Sequence, residues 1–97
     1  MLDDISGFSF IKGHNSVNSN IYIVLSSGKR NYVFDTIFQR RPDVTAYFEE
    51  YGLNLDASGF VARIPKEKVE SGNYRLGTYI KKEQMEALQY THITIDF

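Results

Sequence analysis

The chain has 97 residues, no cysteine, a net charge of −1, and seven Phe and seven Tyr with no Trp. That length allows one domain with one core, and the balanced charge excludes a global field steering the chain to nucleic acid or an anionic membrane surface. Without cysteine there is no disulfide, thiolate metal site or thiol nucleophile, and the composition leans toward a reducing compartment.

No apolar run approaches a membrane span and no signal-peptide pattern opens the sequence, so direct membrane insertion is not expected. Ile5 to His14 reads as a first strand, with Phe8 and Phe10 on one face and Ser9 and Ile11 on the other. Turn formers in Gly13–Ser16 and Asn18–Asn20 lead to a second strand, Ile21 to Ser26. Ser26-Ser27-Gly28-Lys29 is a hairpin signal, and Asn31 to Phe38 alternates as a third strand.

The alternation then stops. Arg40 to Gly52 has helical spacing, with Val44, Tyr47, Phe48 and Tyr51 on one face, Pro42 at the first turn, Asp43 beside it and Gly52 as terminator. Asn54 to Ser58 is a loop into the fourth strand, where Phe60, Ala62 and Ile64 face opposite Val61 and Arg63 up to Pro65. A charged arch, Lys66-Glu67-Lys68, leads to Val69-x-x-Gly72-x-Tyr74, the pattern of a tyrosine corner. There the Tyr74 hydroxyl is expected to donate to backbone near Val69 or Glu70. The fifth strand runs to Ile80 with Tyr74, Leu76, Thr78 and Ile80 on one side. A charged turn over Lys81–Gln84 precedes a last strand, Leu88 to Phe97, whose parity shift predicts either a bulge near Thr91-His92 or a tail that leaves the sheet.

Six strands, one short helix between strands three and four, and a tyrosine corner predict an all-β, immunoglobulin-like Greek-key sandwich. Residues 1–97 form a single domain, expected to be a fragment or terminal module of a larger protein. Strands one, two and four are expected in one sheet, and three, five and six in the other. On that arrangement Ile11, Val24 and Val61 lie outside one sheet, and Val33 and Ile37 outside the other. Apolar residues at outward positions imply a covered face, with Val24, Val33, Ile37, Val61 and Tyr79 as the interface or ligand candidates.

Catalytic chemistry finds little footing. His14 and His92 show neither metal-ligand spacing nor a nucleophile partner, and no phosphate loop, nucleophile elbow or metalloprotease motif occurs. Asp3-Asp4 and Glu49-Glu50 fit solvated surfaces. No cofactor and no enzymatic activity are expected of this chain. The sharpest polar cluster is Arg40-Arg41-Pro42-Asp43-Val44. Arginine forks suit phosphate and carboxylate, but a structural role is favoured, with Arg41 bracing the strand-to-helix corner and Asp43 capping the helix.

Taken in order, Gly7-Phe8-Ser9-Phe10, Arg41-Pro42-Asp43-Val44, Ser58-Gly59-Phe60 and Gly72-Asn73-Tyr74-Arg75-Leu76 span most of the chain. Their order and spacing resemble a small β-sandwich accessory domain appended to bacterial cell-surface polysaccharide glycosyltransferases and glycerophosphotransferases. This chain has Phe8 where the resemblance leads one to expect Trp, which keeps apolar burial and loses an indole donor. The resemblance implies a non-catalytic module; Arg41, Asp43, Phe60 and Tyr74 are read from the sequence as its structural motif residues. Its partner would be the parent catalytic domain or a second copy of itself; the alternative is a carbohydrate-binding module that holds polysaccharide.

Overall fold

The structure, a computed structural model, describes residues 2–97. Seven strands are present among them: β1 (Leu2–Phe8), β2 (Ser19–Ser26), β3 (Asn31–Asp35), β4 (Ile37–Gln39), β5 (Gly59–Pro65), β6 (Asn73–Lys82) and β7 (Met85–Asp96). One α-helix, α1 (Pro42–Tyr47), follows β4, and single 3-10 turns occupy Glu49–Tyr51, Asp56–Ser58 and Lys66–Lys68. The strands form two antiparallel sheets, ordered β1-β5-β4 and β3-β2-β6-β7. Reading β1 to β7 as B, C, C′, D, E, F and G gives the strand order of an immunoglobulin-type sandwich. No described residue fills position A, beside β1.

The core lies between the sheets. Ile21, Ile23 and Leu25 of β2 and Tyr74, Leu76 and Ile80 of β6 meet Phe60, Ala62 and Ile64 of β5, all buried. Each set has the period-two spacing that points one face of a pleated strand inward.

Several expectations need correction. β2 does not pair with β1 and β5; it sits between β3 and β6. The Ser26–Asn31 hairpin is closed by Ser27 N–H donating to the Arg30 carbonyl at 2.8 Å. Strands joined by so short a turn are hydrogen-bonded neighbours and cannot stand in sheets roughly 10 Å apart. The first strand ends at Phe8 rather than His14. Beyond it Ser9 enters the interior, its hydroxyl 3.0 Å from that of Thr78, and Gly13 at φ +84° helps the chain turn back.

The run Asn31–Phe38 is two strands, because the chain changes sheets at Thr36, whose hydroxyl donates to the Ile21 carbonyl at 2.6 Å. The α-helix covers six residues, and Gly52 at φ +64° ends the 3-10 turn that continues it. β7 starts at Met85, three residues earlier than expected, because the hairpin turns at Glu83-Gln84 with Glu83 at φ +55°. The bulge falls where the parity shifted: Arg75 pairs with Thr94 and Gly77 with Tyr90, so residues 91–93 oppose Leu76 alone.

Candidate functional site

Three of the four motif pieces meet at one corner of the three-stranded sheet. Gly7 and Phe60 are cross-strand partners, as are Phe8 and Gly59. Phe60 faces the core, and a Cβ on Gly7 would stand 3.4 Å from its ring. Phe8 and Gly59 face outward, where Gly59 leaves room for the stem of Arg41. The guanidinium of Arg41 lies 5.7 Å from the centre of the Phe8 ring. It also donates to Asp43 through Nε at 2.9 Å and NH2 at 2.8 Å, a two-point fork. This hydrogen bonding raises the Arg41 pKa and lowers that of Asp43, which stays ionised below the usual carboxylate range.

Arg41 and Asp43 therefore have each other as partners, as the structural reading expects. Asp43 does not cap the helix in the expected way. The N-cap position is Arg41, whose guanidinium has no acceptor to offer, so there is no side-chain capping bond; Asp43 lies one residue inside the first turn, after Pro42. The corner is tied to the following loop instead. Arg41 N–H donates to the Asp56 carbonyl at 2.7 Å, and the Thr45 hydroxyl donates to the Asp56 carboxylate at 2.5 Å while accepting from Leu55 N–H at 2.9 Å. Arg40 reaches the same carboxylate at 3.4 Å.

Around this clamp stands an aromatic cluster. The Phe48 ring packs edge-on against Phe8 (6.0 Å), Phe10 (5.3 Å) and Tyr47 (4.8 Å), and is stacked with Tyr51 at 5.5 Å. Phe8, Asp43, Val44, Tyr47 and Phe48 line a mainly apolar cleft of about 550 Å³. Tyr47 is 79% exposed and Phe8 42%. Periodicity placed Tyr47 on the packed face of the helix; the helix ends at that residue, and its ring projects from the last turn into solvent. The role of Phe8 as a floor for Arg41 was missed, and the outward parity of Phe8 opposite Gly59 is the signal that points to it.

The expected interface residues divide differently. Val24 and Val33 are cross-strand partners on the outside of the four-stranded sheet, while Ile37 and Val61 are partners on the outside of the three-stranded one. Each had been expected on the sheet opposite its actual partner: Val24 because β2 was assigned to the wrong sheet, and Ile37 because the chain crosses between sheets at Thr36. Ile11 is on neither outer face and packs against the core. Val24 is buried at 6% exposure, whereas Val33 is 61% and Ile37 59% exposed. Val24 faces Gly77 on its other side, and the Tyr90 ring lies across Gly77, 2.8 Å from where a Cβ would stand. Tyr79 is half-buried beside Tyr22, ring centres 5.8 Å apart, and its hydroxyl bonds to the Glu86 carboxylate. That bond raises the phenol pKa.

Tyr74 forms the corner expected of it, donating to the Glu70 carbonyl at 2.7 Å. At the other end of β6, buried Lys82 donates to Asn15 Oδ1 at 3.0 Å and to the Val17 carbonyl, fastening the loop before β2. Among the described residues no three His, Asp or Glu side chains converge as a metal site, and no helix is long and apolar enough to cross a membrane. No family model, curated protein or solved structure matches the chain.

Proposed function

We propose that this chain is a non-catalytic docking module that holds or orients the catalytic domain of a cell-surface glycan-assembling transferase. The observation that carries this reading is the exposed apolar corner built on Phe8, Tyr47 and Phe48, on the same side as Ile37 and Val61. Exposed aromatic clusters with charged residues at their rim are typical of surfaces that another protein covers. The rings of the cleft meet nearly at right angles, 79° for Tyr47 and Phe48 and 64° for Phe8 and Phe48. That arrangement accepts an inserted apolar side chain better than the flat face of a sugar. The residues behind the resemblance to glycosyltransferase-associated domains, Phe8, Arg41, Asp43 and Gly59, support the choice because they build this corner.

The test is an amide chemical-shift titration of the labelled domain with the catalytic domain encoded in the same reading frame. Perturbation should centre on Phe8, Ile37, Tyr47 and Phe48, and Tyr47→Lys should weaken binding without lowering the unfolding midpoint. Shifts confined to the opposite sheet, or no shifts, would sink the docking surface.

A second reading has one observation in its favour. Where the chain crosses between sheets, Phe38 is 64% exposed and lines a cavity of about 290 Å³ with Ser19, Asn20, Tyr22 and Asp35. A ring bordered by hydroxyl, amide and carboxylate groups is the chemistry of a saccharide subsite. Titration with wall and capsule oligosaccharides should give no saturable binding; a saturable signal abolished by Phe38→Ala would establish the carbohydrate reading instead.

A further inference from the structure

The three-stranded sheet ends on β1, whose outer edge pairs with no described residue. Ser9 N–H donates to the Ser58 carbonyl at 2.9 Å, in register with the pairing of β1 and β5. In an antiparallel pair, residues that bond across the pair alternate with residues that do not. Positions 9, 7, 5 and 3 therefore bond to β5, and the main-chain N–H and C=O groups of Asp4, Ser6 and Phe8 point away from the sheet. Such a row is a template for another strand.

The other three edges are poorer templates. β7 carries the bulge of residues 91–93, which interrupts its regular hydrogen-bonding row. β4 has three residues and β3 five. β1 pairs without interruption over seven residues and contains no Pro or Lys. Ile5, on its inward side, is only half-buried at the margin of the core. An added strand with an apolar residue opposite Ile5 would cover it.

We propose that the added strand is β1 of a second copy, paired antiparallel about a two-fold axis at Ile5. Each copy's β1 then lies beside the other's, in the place that strand A takes in an immunoglobulin-type sandwich, and the two three-stranded sheets become one of six strands. The sequence of β1 is self-complementary in one register, centred on Ile5. Outward-bonding residues are even-numbered, so even positions must face even positions. A centre at Asp4 would set two carboxylates opposite each other, which is destabilising. A centre at Ser6 would leave Ile5 opposite Gly7, without apolar cover. Centring on Ile5 places Asp4 opposite Ser6, Ile5 opposite Ile5 and Phe8 opposite Leu2, with no like charges facing. Asp4 is also balanced within its own copy by Arg63 at 3.8 Å. The contact uses a backbone edge and adjoins the aromatic cleft only at Phe8, so Tyr47 and Phe48 separate it from the docking reading.

Ser6 reports the register because it is exposed and would face Asp4 of the other copy. Sedimentation velocity over a dilution series should show a concentration-dependent dimer for the 97-residue chain. Ser6→Lys creates two attractive cross-strand pairs and should lower the dissociation constant about fivefold, whereas Ser6→Asp should raise it by a similar factor. Thermal unfolding of both variants at dilutions where the chain is monomeric should match the parent, and Tyr47→Ala should leave the dimer unchanged. A monomeric parent chain overturns the proposal, whatever Ser6→Lys does. Dissociation constants that fail to move in opposite directions for the two Ser6 variants overturn it as well.

Discussion

Arg41 lies across Gly59 so closely that a Cβ at position 59 would stand 2.2 Å from the Arg41 Cγ and 2.2 Å from the Gln39 carbonyl oxygen. The arginine stem could swing away, but the carbonyl belongs to the β4 backbone that pairs with β5. Gly59→Ala should therefore cost about 1–3 kcal/mol, the range for forcing extra volume into a packed site. The urea midpoint measures it. An unchanged midpoint would mean that Arg41 is not clamped over this corner.

Glu70 is held by two tyrosines. Its carbonyl accepts from Tyr74 at 2.7 Å and its N–H donates to the Tyr32 hydroxyl at 3.2 Å, while the two rings meet edge-on at 5.7 Å. Tyr74→Phe removes one buried hydrogen bond and should lower the melting temperature by about 4–8 °C with the fold intact. Burial first, then the neighbouring Tyr32, raises the Tyr74 pKa. A raised folded pKa gives stability that is complete below the unfolded value of about 10 and lost as pH rises through the folded one. The difference between parent and variant should accordingly shrink in alkali. A variant as stable as its parent at neutral pH would remove the corner as a stabilising feature.

Asp43 has the opposite sign. The hydrogen bonds from Arg41 lower its pKa in the folded state, so its contribution is present above the unfolded value of about 3.9 and disappears as pH falls through the lower folded value. A carboxyl-carbon NMR titration should place the Asp43 midpoint below that of a model peptide, and Arg41→Ala should raise it toward the ordinary range. Equal midpoints with and without the guanidinium would exclude the fork as the cause.

Val24 and Val33 are cross-strand partners with unequal exposure, 6% against 61%. Val24→Ala should cost about 1–3 kcal/mol through lost burial, and Val33→Ala should stay within about 0.5 kcal/mol. Val33→Lys should fold normally, whereas Val24→Lys should not. Equal losses at the two positions, read from chemical denaturation, would mean that the flanking strands leave Val24 open.

The sequence by itself determined what depends on neighbours along the chain. Alternation in residues 21–26, 59–65 and 74–80 sets the inward faces of β2, β5 and β6, because a pleated strand has a fixed period of two. The spacing Val69-x-x-Gly72-x-Tyr74 locates the tyrosine corner, whose acceptor lies only four residues back. The parity break after Tyr90 reveals the bulge for the same local reason. Tertiary structure decided which strands share a sheet, because hydrogen-bonding partners are set by hairpin closure and by the crossing at Thr36, not by periodicity. It also decided that Val24 is covered while Val33 is open, since β2 lies between β3 and β6 whereas β3 is an edge strand. The aromatic corner was decided in the same way: Phe8, Arg41 and Gly59 are far apart in sequence and meet only when β1 and β5 pair and α1 folds back beside them. Alternation predicts which way a side chain points; only packing between strands determines what it meets there.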